Sequence, residues 1–111
     1  NILSQNAALA AMDYADDILA HNIPPTLAAR QHFMDALKDV PNLTVYPSAT
    51  NFVLVRVPDG PAMVKTLHDA DICVRSYKAA DLKNCLRITI TTDDVVRRVV
   101  AVMTEEAKKY A

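Results

Sequence analysis

Apolar residues recur along this chain in two periods, and the switches between them mark out its elements. Residues 4–20 are rich in Ala, Leu and Met and predict a helix with Ser4 at its N-cap. Pro24 and Pro25 predict a break or kink, because proline is tolerated only in a helix's first turn. A second helix is expected from Pro25 to Asp39, with Leu27, Phe33, Met34 and Leu37 as its apolar stripe. The period then becomes two. Asn51–Val57 reads as a strand, Ile72–Arg75 as a short second strand and Cys85–Ile90 as a third. Between the first two, Asp59 predicts the N-cap of a helix running to Ala70, with Met63, Val64, Leu67 and Ala70 inward. Residues 76–84 are polar and irregular. A last helix is expected over Thr92–Lys109, burying Val95, Val96, Val99, Val100, Met103, Ala107 and Tyr110.

The order α-α-β-α-β-β-α predicts an α/β domain of the α+β, two-layer kind: a small, mostly antiparallel sheet of three or four strands with helices packed on one face. Side chains alternate along a strand, so Val53, Val55, Val57, Ile72, Val74, Leu86, Ile88 and Ile90 should face the helices. The opposite face then carries Phe52, Leu54, Arg56, Cys73, Arg75, Cys85, Arg87 and Thr89. Each strand puts one arginine on it. A guanidinium is always charged, and its planar fork fits carboxylate or phosphate. Arg75 and Arg87 are therefore candidates for an anion site. The alternative is that they are ordinary strand arginines, solvated or paired with Asp59, Asp71 or Asp81. Arg56, near the end of its strand, reads as structural.

Composition narrows the picture. The chain has 111 residues, one domain's worth, with net charge −1. There is no basic excess to neutralise a phosphate backbone, so nucleic acid is not an expected partner. No apolar run approaches a membrane span. A single glycine, Gly60, excludes a glycine-rich phosphate loop. Cys73 and Cys85 lack metal or redox spacing and are expected to be reduced core thiols, which points to the cytoplasm. His21, His32 and His68 have no metal-ligand spacing, and no metal site is expected. The opening residue is Asn1 rather than Met, which suggests a piece of a longer protein.

Four stretches carry a family resemblance: LSQNAALAAMD (3–13), LTVYPSATNFVLVRV (43–57), ICVRS (72–76) and CLRITITT (85–92). Together they resemble the C-terminal small domain of the histidinol-phosphate aminotransferases, pyridoxal-phosphate enzymes of fold type I. The resemblance implies that residues 1–22 form a helix leading out of a large domain and that residues 23–111 form the small domain. It implies that Arg87 grips the substrate α-carboxylate and that Arg75 contacts the phosphate end of histidinol phosphate. It places Asn51 at a domain-interface or site-lining position. It implies a homodimeric full-length enzyme using pyridoxal phosphate, with a large domain covering part of the face around Phe52 and Leu54.

No lysine here matches the context of the family's cofactor lysine, so this segment should contain no catalytic residue, bind no cofactor covalently and be inactive alone. The family usually has glycine where this chain has Asn42, Asp71 and Thr91. Asn and Asp tolerate the left-handed region, whereas β-branched Thr91 does not. Other enzymes of the same branch, such as threonine-phosphate decarboxylase or an aromatic aminotransferase, fit the same residues. A free-standing regulatory anion-binding module is the reading from a different class.

Overall fold

The computed structural model describes residues 1–110. The central pairing joins β2 (Phe52–Arg56) to β4 (Cys85–Thr89) along their whole length, antiparallel, with Val53 opposite Ile88 and Val55 opposite Leu86. Two short strands flank this pair: β1 (Thr44–Val45) beside β2, and β3 (Arg75–Ser76) beside β4. All three pairings are antiparallel, giving the order β1-β2-β4-β3. The expected open, antiparallel α+β sheet is present, with one strand, β1, that its short apolar pattern did not announce.

Helices α2 (Ala15–Leu37), α3 (Gly60–Asp69) and α4 (Asp93–Ala107) form the second layer. Phe33 and Leu37 of α2, Met63 and Leu67 of α3, and Val96, Val99, Met103 and Ala107 of α4 close over Val53, Val55, Leu86 and Ile88. These residues are the core, and they are the inward faces that alternation and helical period predict. Tyr110 and Leu27 differ. Both are exposed, because α4 ends at Ala107 in a short 3-10 turn and Leu27 lies before the packed part of α2.

The N-terminal third departs from expectation. Helix α1 spans Ile2–Asp13 and is capped by the Asn1 side chain, which accepts from the Leu3 and Ser4 amides. Ser4 is thus inside the helix. The break falls at Tyr14 rather than at the prolines, and α2 runs uninterrupted through Pro24 and Pro25. Each proline removes one amide that would bond the carbonyl four residues back, here Ala20 and His21. Neither residue is buried, so water can satisfy the freed carbonyls. The Thr26 hydroxyl bonds the next carbonyl, that of Asn22, at 2.8 Å. Helix α1 buries nothing, and α2 buries nothing before Ala29, so Ile2, Leu3, Leu9, Met12 and Leu19 stand in solvent.

Asn42 (φ 71°) and Asp71 (φ 61°) occupy the left-handed region, as their residue types allow. Thr91 does not, so the turn into α4 is built without that conformation. Asp71 also explains why the second strand is shorter than expected. The Ile72 amide bonds the Leu67 carbonyl and closes α3, so the chain reaches strand geometry only at Arg75. Cys73 is in consequence exposed, and Cys85 alone is a core thiol.

Gly60 opens α3 against the 83–84 turn. Its amide donates to Asn84 Oδ1 at 2.9 Å, while the Asp59 carboxylate caps the Ala62 amide. A Cβ at Gly60 would lie 2.0 Å from the Lys83 carbonyl oxygen. Gly60→Ala should therefore destabilise the fold by about 1–3 kcal/mol through forced backbone displacement. The urea midpoint measures this, and a midpoint equal to wild type would refute the close approach.

Candidate functional site

The open face of the sheet takes its chemistry from register. Arg87 lies opposite Leu54 on one side and opposite Arg75 on the other. Alternation then puts both arginines on the face away from the helices, as their positions in the sequence predict. Directly opposed residues in an antiparallel pair have Cβ atoms about 5 Å apart, and like charges there are unfavourable. Arg87 is partly buried and Arg75 is exposed.

The hydrogen bonds separate these two from every other arginine. Arg30 donates to the Thr50 carbonyl at 2.9 Å, Arg97 to Asp93 at 2.6 Å and Arg98 to the Ala70 carbonyl at 3.0 Å. Arg56 donates its Nε to the Tyr46 hydroxyl at 3.0 Å and an Nη to the Asp81 carbonyl at 3.3 Å. The Tyr46 bond holds the Arg56 pKa above its ordinary value. Arg56 is the structural residue it was expected to be. It ties the end of β2 to the 80–84 turn through the Asp81 carbonyl. Arg75 and Arg87 have no ion pair and no side-chain hydrogen bond among the described residues. Each instead meets an aromatic ring: Arg87 Cζ is 5.0 Å from the Phe52 centroid, and Arg75 Cζ is 6.0 Å from that of Tyr77. Asp59, Asp71 and Asp81, the acidic partners considered for them, pair with neither.

Asn51 sits elsewhere. Its parity is that of Val53, and it lines a groove of about 340 Å³ against Ile23, Leu27 and Arg30 of α2. The structure therefore brings Arg75 and Arg87 together and leaves Asn51 on the opposite side of the sheet. Phe52 is the residue of this site that sequence reasoning missed. Alternation puts it on the open face but does not reveal its contact with Arg87; at 37% exposure it remains accessible, with Leu54 partly buried. Its contact with Arg87 is diagonal across two strands and depends on a register that only the folded sheet supplies.

The residues present do not fit a covalent cofactor site. Lys38, Lys65, Lys78, Lys83, Lys108 and Lys109 are all solvent-exposed, whereas Schiff-base chemistry uses an enclosed, desolvated lysine. No group of three or more His, Cys, Asp or Glu is placed to hold a metal among the described residues. Among the described residues no helix is long and apolar enough to cross a membrane.

No protein-family model matches the chain. It is 42% identical over 84 residues to a histidinol-phosphate aminotransferase of Pectobacterium carotovorum subsp. carotovorum, an alignment covering 74% of this chain and 24% of that protein. This chain is a homologue of a part of the histidinol-phosphate aminotransferases. It spans about a quarter of the length of the curated relatives it matches. The histidinol-phosphate aminotransferase of Sinorhizobium meliloti, solved with pyridoxal-5′-phosphate, superposes with a TM-score of 0.67 at 27% identity, over 95% of this chain and 28% of that one. A decarboxylase from Sulfurospirillum multivorans superposes with a TM-score of 0.63 at 26% identity, over 72% of this chain and 24% of that one. Both likenesses extend to the sheet and helices described above rather than to a single motif.

An uncompensated pair of opposed arginines should behave as one. Replacing Arg75 with Gln should raise the thermal midpoint at low ionic strength, by an amount corresponding to a few tenths of a kcal/mol. The gain should shrink as salt screens the pair. A lowered midpoint, or a gain independent of salt, would mean that the two charges do not repel.

Proposed function

We propose that this chain is the small domain of a pyridoxal-phosphate-dependent aminotransferase that passes an amino group between histidinol phosphate and 2-oxoglutarate. The observation that carries the proposal is the pair Arg75 and Arg87, two neighbouring guanidiniums whose donors no protein group takes up. In a chain related to enzymes of this kind, their natural occupants are the anionic ends of a substrate. Arg87, nearer the sheet centre and partly buried, binds the α-carboxylate. Arg75, at the exposed edge, binds the phosphate. Residues 23–111 act as the small domain and residues 1–22 as the helix leading to a large domain. Asn51 lines the interface with that domain. The exposed apolar side chains of α1 fit such a role, since large exposed patches usually meet another surface.

The cofactor is held by the part of the protein that corresponds to the remaining length of its relatives. Within this chain the chemistry is binding and orientation: two forks fix a small amino-acid substrate at both ends, so that its reacting carbon is presented in one pose. The full-length enzyme is cytoplasmic and homodimeric. The likeness to the Sulfurospirillum decarboxylase supports a second reading, threonine-phosphate decarboxylase. An aromatic aminotransferase of the same branch would use the same α-carboxylate grip. If the chain instead works alone, it is a regulatory module that binds small anions on the same face.

Two measurements test the proposal. The 111-residue chain, incubated with pyridoxal phosphate and reduced with borohydride, should label its lysines weakly and without preference. Stoichiometric labelling of one lysine would overturn the assignment of the cofactor site elsewhere. In the full-length enzyme, Arg87→Lys should lower kcat/KM for every donor and acceptor by about ten- to a hundred-fold, because a charge-assisted bidentate contact worth roughly 1.5–3 kcal/mol per bond is lost. Arg75→Lys should affect the phosphorylated donor and spare 2-oxoglutarate. Equal losses on both half-reactions would show that Arg75 does not read the phosphate.

A further inference from the structure

The two arginines differ in how they are held. Arg75 meets Tyr77 at 6.0 Å, the outer limit for attraction between a cation and a ring. Arg87 lies over Phe52 at 5.0 Å, inside that limit. The Phe52 main chain is itself fixed from a second direction. Its carbonyl accepts the Ser48 hydroxyl and the Thr50 hydroxyl, the latter at 3.2 Å, and its amide donates to Thr50 Oγ1 at 3.4 Å. The Ser48–Thr50 turn thus anchors the residue that opens β2, at the end of the sheet where Phe52 pairs with Thr89. Phe52 as a residue is more than one-third exposed and belongs to no core cluster.

We propose that Phe52 is a positioning residue for Arg87: its anchored ring holds the guanidinium over its face while leaving the in-plane N–H fork free for a carboxylate. This rests on the reading of Arg87 as a carboxylate-binding residue. A protein carboxylate beside Arg87 would also orient it, but would take up the donors that the ligand needs, as Asp93 does to Arg97. A ring face attracts the charge through its quadrupole and claims no particular N–H. It also narrows the rotamers open to a long side chain, so less freedom is lost when the anion arrives. Leu54, the residue directly opposite Arg87, supplies apolar contact but no such attraction. The orientation therefore comes from the diagonal neighbour, two residues earlier on β2.

The test uses the full-length enzyme and glutarate, a five-carbon dicarboxylate, with binding followed by titration and the arginine Nε–Hε resonances by NMR. In the wild type the Arg87 Hε resonance should lie upfield, shifted by the Phe52 ring current. Phe52→Leu should remove that shift and weaken glutarate binding about two- to five-fold, the equivalent of the 0.5–1 kcal/mol typical of an exposed cation–ring contact. Phe52→Tyr keeps a ring and should restore both the shift and the affinity, a rescue that mere volume filling would not require. Unchanged affinity in Phe52→Leu, with or without loss of the shift, would overturn the proposal while leaving Arg87 as a binding residue. Arg87→Gln separates the two ideas. It should abolish glutarate binding, and wild-type affinity in that variant, or no binding by the wild type, would overturn the anion-site reading and the role of Phe52 with it.

Discussion

The antiparallel register of β2 on β4 is the constraint on which everything else in this domain depends. Pairing Val53 with Ile88 and Val55 with Leu86 puts four aliphatic side chains under Phe33, Leu37, Met63 and Met103. Because the strand period is two, the same register fixes the outer face. A slip by one residue would turn the valines to water and drive Arg87 into the core, where an unpaired charge costs several kcal/mol. The hydrophobic layer thereby specifies, with no extra interaction, that Leu54, Arg87 and Arg75 form a row across three strands. The placement of these three side chains on one outer face is a by-product of burying the core.

That row carries a local cost. Two guanidiniums face each other across β3 and β4 with no carboxylate between them. Elsewhere the chain uses its arginines to tie segments together: Arg30 to the 48–51 turn, Arg56 to the 80–84 turn and Arg98 to the end of α3. Those three contacts fasten the periphery of the sheet. Arg75 and Arg87 make no such tie, and register alone sets them side by side on the face away from the helices.

How far the sequence announced all this varies with the range of the interaction that decides it. The inward valines of β2, the Asp59 cap and the inward face of α4 were legible, because local period and capping chemistry agree with the tertiary outcome. The parity of Arg75 and Arg87 was legible for the same reason. Thr44–Val45 was not, since a two-residue strand has no period and exists only because Arg56 and Val55 offer it a partner. Ile72–Val74 looked like strand and is not, because a left-handed Asp71 folds the chain back onto α3. The seat of Arg87 on Phe52 was invisible for the deepest reason. It needs the relative register of two segments more than thirty residues apart.

The prolines show the opposite failure, a local rule overridden. Pro24 and Pro25 argue for a break, and an interior proline costs about 3 kcal/mol in an isolated helix. Yet α2 continues through them and the interruption falls at Tyr14. The packed end explains part of this. Ala29, Phe33 and Leu37 lock the C-terminal half of α2 to the core, so packing rather than local propensity holds the helix on the far side of the prolines. What remains on their other side is α1 and the start of α2, with its row of exposed Leu, Ile and Met side chains. The proline pair therefore marks the boundary between the part of the chain that folds onto its own sheet and the part whose apolar surface finds no partner within it.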